Sequence, residues 1–565
     1  MNFQKENKTC KSCKKGFIIE PDDFGFYKQI KVPPPVWCPQ CRLLRRMNWY
    51  SYRILYKRKC DFTGENIITF YHPDVPCKIY KQDVWWSDKW DPKSYGRDYD
   101  FSRPFFEQYG ELLKDVPRAS LHTEYTTMLN SEYCNAASYQ KNGYLCFKHS
   151  TGEDSAYTNV AVNTKDSLDI AYSLDPELCY EIVDVRKCFQ TFFSQDCENC
   201  QNIYFSFDLV NCNDCFGCTS LRNKSYCIFN EQLTREEYQK KLQEFNFSSL
   251  KNLRELKKKA YEFSLKYPRR ASQGRNNTNV SGDYIYNSKN AHDVYYVSDS
   301  ENIKYSQLFI KGGTHNCYDF TAFGNNSEWV YEATWTGLNV SNVKFSVWNY
   351  RNHDTEYTFA CHGSEYLFGC VGMNKASYCI FNKQYSKEEY FPLVEKIKKQ
   401  MDEMSFIDRR GLEHKYGGQI PVDLCPWAYN ESTAYEFFPI TKEEALAKGF
   451  TWRDIDQKEY LPASVIVPDN IKDVTDDILK AILKCADCGK NYQIIQKELV
   501  FLRRFNFPIP DNCPLCRDRA RIKQLNPMKI YKRECSKCNN KIETSYSPER
   551  PEIVYCENCY KQEVY

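Results

Sequence analysis

Between residues 120 and 230 the chain alternates runs of two to four apolar or aromatic residues with Asn, Ser, Asp and Gly. Tyr133, Tyr157, Tyr180, Tyr204 and Tyr226 fall 24, 23, 24 and 22 residues apart. Such a period marks stacked coils. Short strands at that spacing predict a parallel solenoid with two or three strands per coil. FGCTSLRNKSYCIFN at 216–230 returns as FGCVGMNKASYCIFN at 368–382, an offset of 152. Ahead of the second copy, HDVYY, ENIKYS, HNCYDF, SEWVYE, SNVKFS and SEYLFG recur roughly every 10 to 14 residues, with a step of 23 before the last, which reads as about half a coil each. The expected fold class is mainly β with added helices, built on a duplicated right-handed parallel β-solenoid. Asn, Ser and Tyr suit it, because identical side chains stack and bond along a solenoid axis.

After each copy the pattern turns helical. Thr234 with Glu237, and Ser386 with Glu389, have the spacing of capping boxes. The first helix is predicted to run to about 265 and the second to Met404. Each has one apolar face, suited to covering an open coil edge. A third box begins at Thr441. Val474, Ile478 and Ile482 share one face of a predicted helix over 471–483.

The 29 cysteines add chemistry. Residues 10–90 align on 485–565 at a constant offset of 475. Cys10, Cys13, Cys38 and Cys41 fall on Cys485, Cys488, Cys513 and Cys516. Cys60 falls on Cys535, whose quartet is completed by Cys538, Cys556 and Cys559. The upstream copy of that quartet has Thr63, Lys81 and Val84 at the other three places. Two C-x2-C pairs make a closed tetrahedral site, the usual form of structural zinc. Three structural Zn2+ sites and one decayed site are expected. Phe17 and Ile19, then Phe26 and Tyr27, predict a hairpin and a short helix between the pairs. RLLRRMNW after Cys41 predicts a helix whose N-terminus favours thiolates. That order is a treble clef, so treble-clef zinc modules flank the solenoid. Cys197, Cys200, Cys212, Cys215, Cys218 and Cys227 include a C-x2-C-x2-C run. An iron–sulfur run would need a fourth cysteine three residues on. At offset 152 only Cys218 and Cys227 have cysteine counterparts, so these are read as buried thiols, with Cys188 and Cys212 one coil apart.

The pattern of FY, prolines and C-P-x-C-R resembles the zinc-ribbon, or treble-clef, domain family. The whole chain is similar to large zinc-ribbon proteins common in candidate-phyla-radiation bacteria. YKRKC, WWSDKWDP, YGRDYDFSRPFFEQ, SYCIFN, YNES and FFPITKEEAL carry that resemblance over nearly the full length. It implies zinc modules and brings no established activity.

The organisation read from these features is a treble-clef zinc module at 1–50, a degenerate second module at 51–92 and a connector at 93–118. The first solenoid copy follows at 119–231, a helical insertion at 232–275, the second copy at 276–383 and a helix at 384–410. A connector with helices at 411–480 leads to a treble-clef module at 481–530 and a second C-terminal zinc module at 531–565.

Charge then suggests a partner. Net charge is only +3, yet residues 1–60 carry +10 and 485–535 carry +6, leaving −13 for the rest. Basic ends on an acidic middle point to a polyanion. Arg42, Arg45, Arg46, Lys57, Arg58, Arg517, Arg521, Lys532 and Arg533 are the candidate nucleic-acid contacts. Trp37, Trp49 and Tyr50 could stack on bases. The competing reading makes those aromatics a small core and lets the modules dock on protein or on the chain itself. No P-loop, H-E-x-x-H or G-x-S-x-G is present, and closed zinc sites lack a catalytic position. The expected function is a zinc-binding multidomain scaffold, a non-enzymatic nucleic-acid (RNA) binding protein. The alternatives are a protein–protein assembly factor and a carbohydrate-active enzyme on the solenoid face. A polar, basic start and the absence of a long apolar run lead to the expectation of a cytoplasmic protein with no membrane partner.

Overall fold

A computed structural model describes residues 3–309, 312–454 and 460–565. Residues 1–2 of the first module, 310–311 of the second solenoid and 455–459 of the connector lie outside the described residues.

From Ala136 to Asp214 every third residue has a left-handed backbone, with φ between 45° and 62°. Each such residue turns a corner, and the residue after it points inward. Ser155, Thr158, Ala161, Thr164, Ser167, Ile170 and Ser173 are all buried in this way. Four three-residue sides close one coil. Ala156 therefore pairs with Leu168, and Leu168 with Tyr180, in parallel and 12 residues apart. This corrects the predicted period. The tyrosine anchors lie two coils apart, and the 10-to-14-residue repeats are whole coils.

Left-handed conformation costs an L-residue roughly 1–2 kcal/mol, and Asn and Asp tolerate it best. They occupy many exposed corners and hold one another in ladders. Asn163 donates to Asp175 at 2.8 Å, Asn202 to Asp214 at 3.0 Å and Asn211 to Asn223 at 3.1 Å. In the second solenoid Asn279, Asn290, Asn302 and Asn316 form one run. Inside, small polar side chains do the same work. The Ser167 N–H donates to Ser155 Oγ at 3.3 Å and the Cys179 N–H to Ser167 Oγ at 3.0 Å.

The second solenoid keeps this plan with looser spacing. Register steps are 11 residues at Thr278–Lys289, 14 at Ser300–Thr314, 13 at Thr314–Ser327, and 12 from Ser341–His353 onward. Two adjacent left-handed residues, as at Asn325–Asn326 and Leu338–Asn339, mark the wider corners.

Each solenoid ends alike. An antiparallel strand, Glu231–Gln232 or Lys383–Gln384, folds back on the last coil. A helix follows, Arg235–Gln243 or Lys387–Glu403, and both capping boxes form as expected. Replacing Thr234 with Ala is expected to cost about 1 kcal/mol in a denaturant melt, and with Gly only a few tenths. The first helix is shorter than predicted. Ser248 bonds to Asn246 Oδ1 through both its N–H and its hydroxyl, a local alternative to helix. The chain then restarts as the helix Leu250–Ser264 under a Ser249 cap. The predicted helix over 471–483 is instead two short 3-10 turns, Ile471–Asp473 and Asp476–Leu479, the first capped by the Asn470 side chain. Val474 and Ile478 are buried all the same.

The duplication extends beyond the solenoids. A helix and a two-residue strand precede each one: Phe105–Asp115 with Arg118–Ala119, and Leu250–Ser264 with Arg269–Arg270. Arg118–Ala119 pairs with Ile79–Tyr80 of the degenerate module. Arg269–Arg270 pairs with Val554–Tyr555, the equivalent strand at offset 475. Among the described residues no helix is long and apolar enough to cross a membrane.

Candidate metal centres and their docking

Three four-cysteine groups form: Cys10, Cys13, Cys38 and Cys41; Cys485, Cys488, Cys513 and Cys516; Cys535, Cys538, Cys556 and Cys559. Within each group all four sulfurs lie within 4.8 Å of one another. Cys13 and Cys38 sulfurs are 3.7 Å apart, and Cys488–Cys513 and Cys538–Cys556 are both 3.8 Å apart. Zn–S bonds of about 2.3 Å place tetrahedral sulfurs about 3.8 Å apart. The three groups therefore match three zinc sites and are compatible with zinc-ribbon-like modules.

Local structure prepares each site. Hairpins Glu6–Thr9/Gly16–Ile19, Leu483–Lys484/Asn491–Tyr492 and Tyr531–Glu534/Lys541–Thr544 carry the first pair of each quartet. Cys38, Cys513 and Cys556 are the N-caps of helices Pro39–Asn48, Pro514–Ile522 and Glu557–Val564. Backbone N–H groups of those same residues point at Cys10, Cys485 and Cys535 sulfurs, each at 3.2 Å. Such donors stabilise thiolates. Burial would raise the Cys535 thiol, but N–H groups of Cys556, Cys538 and Lys537 bring it down to about 6. A hydrogen bond with Cys41 lowers Cys38 to about 5.

The decayed site keeps the frame without the ligands. Cys60 still accepts from the Thr63 N–H at 3.4 Å and the Lys81 N–H at 3.3 Å. Lys81 reaches Glu65 at 2.9 Å.

The remaining seventeen cysteines are accounted for by burial. Fourteen lie inside the solenoids, and Cys60, Cys77 and Cys425 pack in the N-terminal region and connector. The C-x2-C-x2-C run reflects the three-residue frame, in which every third side chain faces in. Cys188, Cys200 and Cys212 stack on successive coils, with the Cys200 N–H on Cys188 Sγ at 3.3 Å and the Cys212 N–H on Cys200 Sγ at 3.4 Å. Cys188 and Cys212 are thus two coils apart, not one. Cys197, Cys215 and Cys218 are buried in the same interior, and among the described residues no metal group includes them.

The candidate phosphate-binding arginines are not at the surface. Arg42, Arg45 and Arg46 project from the helix Pro39–Asn48 into the second solenoid. Arg42 meets Asp319 at 2.8 Å, Arg46 meets Asp319 at 2.7 Å, and Arg45 meets Glu332 at 2.7 Å. At offset 475 the arrangement repeats on the first solenoid. Arg517 meets Asp169 at 2.7 Å, and Arg521 meets the other oxygen of Asp169 at 2.6 Å. Glu498 adds a contact to Arg517 at 2.8 Å. All five arginines are buried, and Trp37, Trp49 and Tyr50 are buried beside them. This corrects the expectation that they meet phosphates and bases. Arg58 pairs with Asp61 at 3.0 Å, and Arg533 donates to the Ser547 and Glu552 carbonyls at 3.1 and 3.3 Å. Lys57 and Lys532 are exposed.

The N-terminal modules therefore clasp the second solenoid and the C-terminal modules clasp the first. The outer joint is also built twice. Trp85 stacks on Trp348 of the second solenoid at 5.7 Å. Its equivalent, Tyr560, bonds to Asp208 and accepts from Arg222 at 3.1 Å on the first. The five buried arginines thus meet carboxylates of the solenoids and of the last modules themselves. Sequence reasoning missed Asp169, Asp319, Glu332 and Glu498. A signal existed: of the three arginines in RLLRRMNW, Arg42 and Arg46 have arginine counterparts at offset 475, while Arg45 falls on Ala520.

No family model and no curated protein matches the chain. A solved structure described as a candidate acetyltransferase from Desulfovibrio desulfuricans G20 is 10% identical, covering 48% of this chain and 69% of its own, with a TM-score of 0.10. At that score the likeness carries no argument about fold or activity.

Proposed function

We propose that the protein is a non-enzymatic zinc-dependent scaffold whose terminal modules act as intramolecular clasps on two paired β-solenoids. The outer solenoid faces are then left to a protein partner. The observation that carries this reading is the doubled docking of one aspartate by two arginines, Asp319 with Arg42 and Arg46, Asp169 with Arg517 and Arg521. Structural zinc holds the helix that presents each pair. The hairpin-then-helix order supports a treble-clef assignment, and with it the zinc-ribbon family resemblance. Seventeen buried thiols outside the zinc quartets, none in a disulfide, favour a reducing, cytoplasmic setting.

Two measurements test this. Purified protein is expected to carry three zinc ions, and stripping them is expected to open the chain to protease between modules and solenoids. A stripped protein with an unchanged digestion pattern defeats the clasp. Binding to single-stranded RNA is expected to be weak at low salt. Tight binding that falls steeply with salt would restore nucleic acid as the partner, through Lys57 and Lys532.

A further inference from the structure

The place where the two solenoids touch holds an unusual set of carboxyls. Asp184, Asp196 and Asp208 occupy the same left-handed corner on three successive coils of the first solenoid. Asp184 and Asp196 face the opening coils of the second, while Asp208 meets Tyr560 of the last zinc module. Arg222 takes Asp208 at 2.9 Å, and Arg275 takes neighbouring Glu198 at 2.6 Å. Arg186 stacks on Tyr286 at 3.9 Å and reaches Asp184 only at 3.5 Å. Asp196 has the Tyr284 hydroxyl, at 3.2 Å. One carboxyl oxygen of Asp184 and one of Asp196 are shut from solvent without a hydrogen-bond partner, and so is the Tyr296 hydroxyl across the joint. A buried, unpartnered carboxylate is costly, whereas a protonated carboxyl is much less so.

We propose that Asp184 and Asp196 form a proton-dependent latch between the two solenoids, closed while the carboxyls hold protons and loosened as pH rises. The groups facing the pair are Arg186, Glu198 and Asp208 from the first solenoid and Asp283, Tyr284, Tyr286 and Tyr296 from the second. Tyr546 faces it from the last zinc module, beside Arg269. Negative groups outnumber the cations left to meet them. Burial pushes the Asp184 carboxyl up to about 6, with Arg186 opposing and Asp283 and Glu198 adding to the rise. Burial also drives Asp196 well above the carboxylate range, helped by Asp184 and Asp208 on either side. The folded joint thus binds protons that an open one releases. Its contribution is complete below about pH 4, the ordinary carboxyl value, and is lost as pH rises through the folded values. For Asp184 alone the move from about 4 to about 6 is roughly a hundredfold in the closing equilibrium.

The test uses the zinc-loaded full chain between pH 5.5 and 8.5. The melting temperature of the wild type is expected to fall across that range. Asp196→Asn keeps the shape without the charge, so its profile is expected to be flatter and its melting temperature at pH 8.5 higher. A variant profile that overlays the wild type overturns the latch. Hydrogen exchange on the wild type gives a second reading, independent of how the variant folds. After correction for intrinsic rates, peptides from 180–200 and 283–297 are expected to gain about fourfold or more between those pH values, fourfold being the share of the Asp184 loss that falls above pH 5.5, while those from 353–380 do not. A uniform change along the chain overturns the proposal as surely.

Discussion

Asp319→Ala is expected to lower stability by about 3–5 kcal/mol, the usual cost of leaving buried charges without their partner. Arg42 and Arg46 both lose their hydrogen-bonded carboxylate in one step, and Glu332, at 3.8 and 3.7 Å from their nearest nitrogens, keeps only a looser ion pair with each. The loss is expected to undock the first zinc module from the second solenoid. Denaturant melts measure the total, and protection of residues 38–50 in hydrogen exchange locates it. Asp169→Ala is the matched experiment at the other end, where Arg521 loses its close carboxylate while Arg517 keeps Glu498. Replacing the arginines and the aspartate together with apolar residues of similar volume should cost far less, because no charge is left behind. A melt of Asp319→Ala within about 0.5 kcal/mol of wild type would mean that these pairs hold nothing together.

Cys513→Ser is the second large effect. The site would drop to three thiolates, and the chain is expected to carry two zinc ions in place of three. Zinc binding supplies folding energy to small modules, about 10–16 kcal/mol in isolated fingers. Part of that must be lost over residues 485–522. The consequence travels, since Cys513 caps the helix that presents Arg517 and Arg521 to Asp169. The first solenoid should lose its clasp while the Cys10 quartet stays metal-loaded. Colorimetric metal counting and protease mapping read both. Three zinc ions retained by the variant would contradict the ligand assignment.

The metal sites were legible because their ligands are local. Each C-x2-C pair is a turn, and the offset of 475 showed that the turns come in matched sets. The solenoid was legible as a repeat, but its period was read at twice its length. Tyrosine anchors recur on alternate coils, whereas the true frame lies in the small interior residues Ser155, Ser167, Cys179 and their like. The run Cys212, Cys215, Cys218 displays that frame openly, yet its spacing is also that of a metal motif. The arginines were misjudged for another reason. Arg42 and Asp319 are 277 residues apart, and Arg521 and Asp169 are 352 apart. Nothing near RLLRRMNW announces that its face will be covered. The helix over 471–483 failed more simply, because the Asn470 side chain caps a turn at the Lys472 N–H that the apolar spacing of Val474 and Ile478 does not reveal.

The triplet geometry of the coils also sets rules for how such a chain can change in length. Deleting one residue between 136 and 214 would move every later side chain one place along its side, and the residue that had followed each inward one would point into the stack. Deleting three would remove a wall, and only the loss of twelve would take out a whole storey and leave the rest aligned. The paired bends at Asn325–Asn326 and Leu338–Asn339 are where an odd residue is absorbed. Insertions engineered there should be borne, while the same insertion in the even-stepped first solenoid should not.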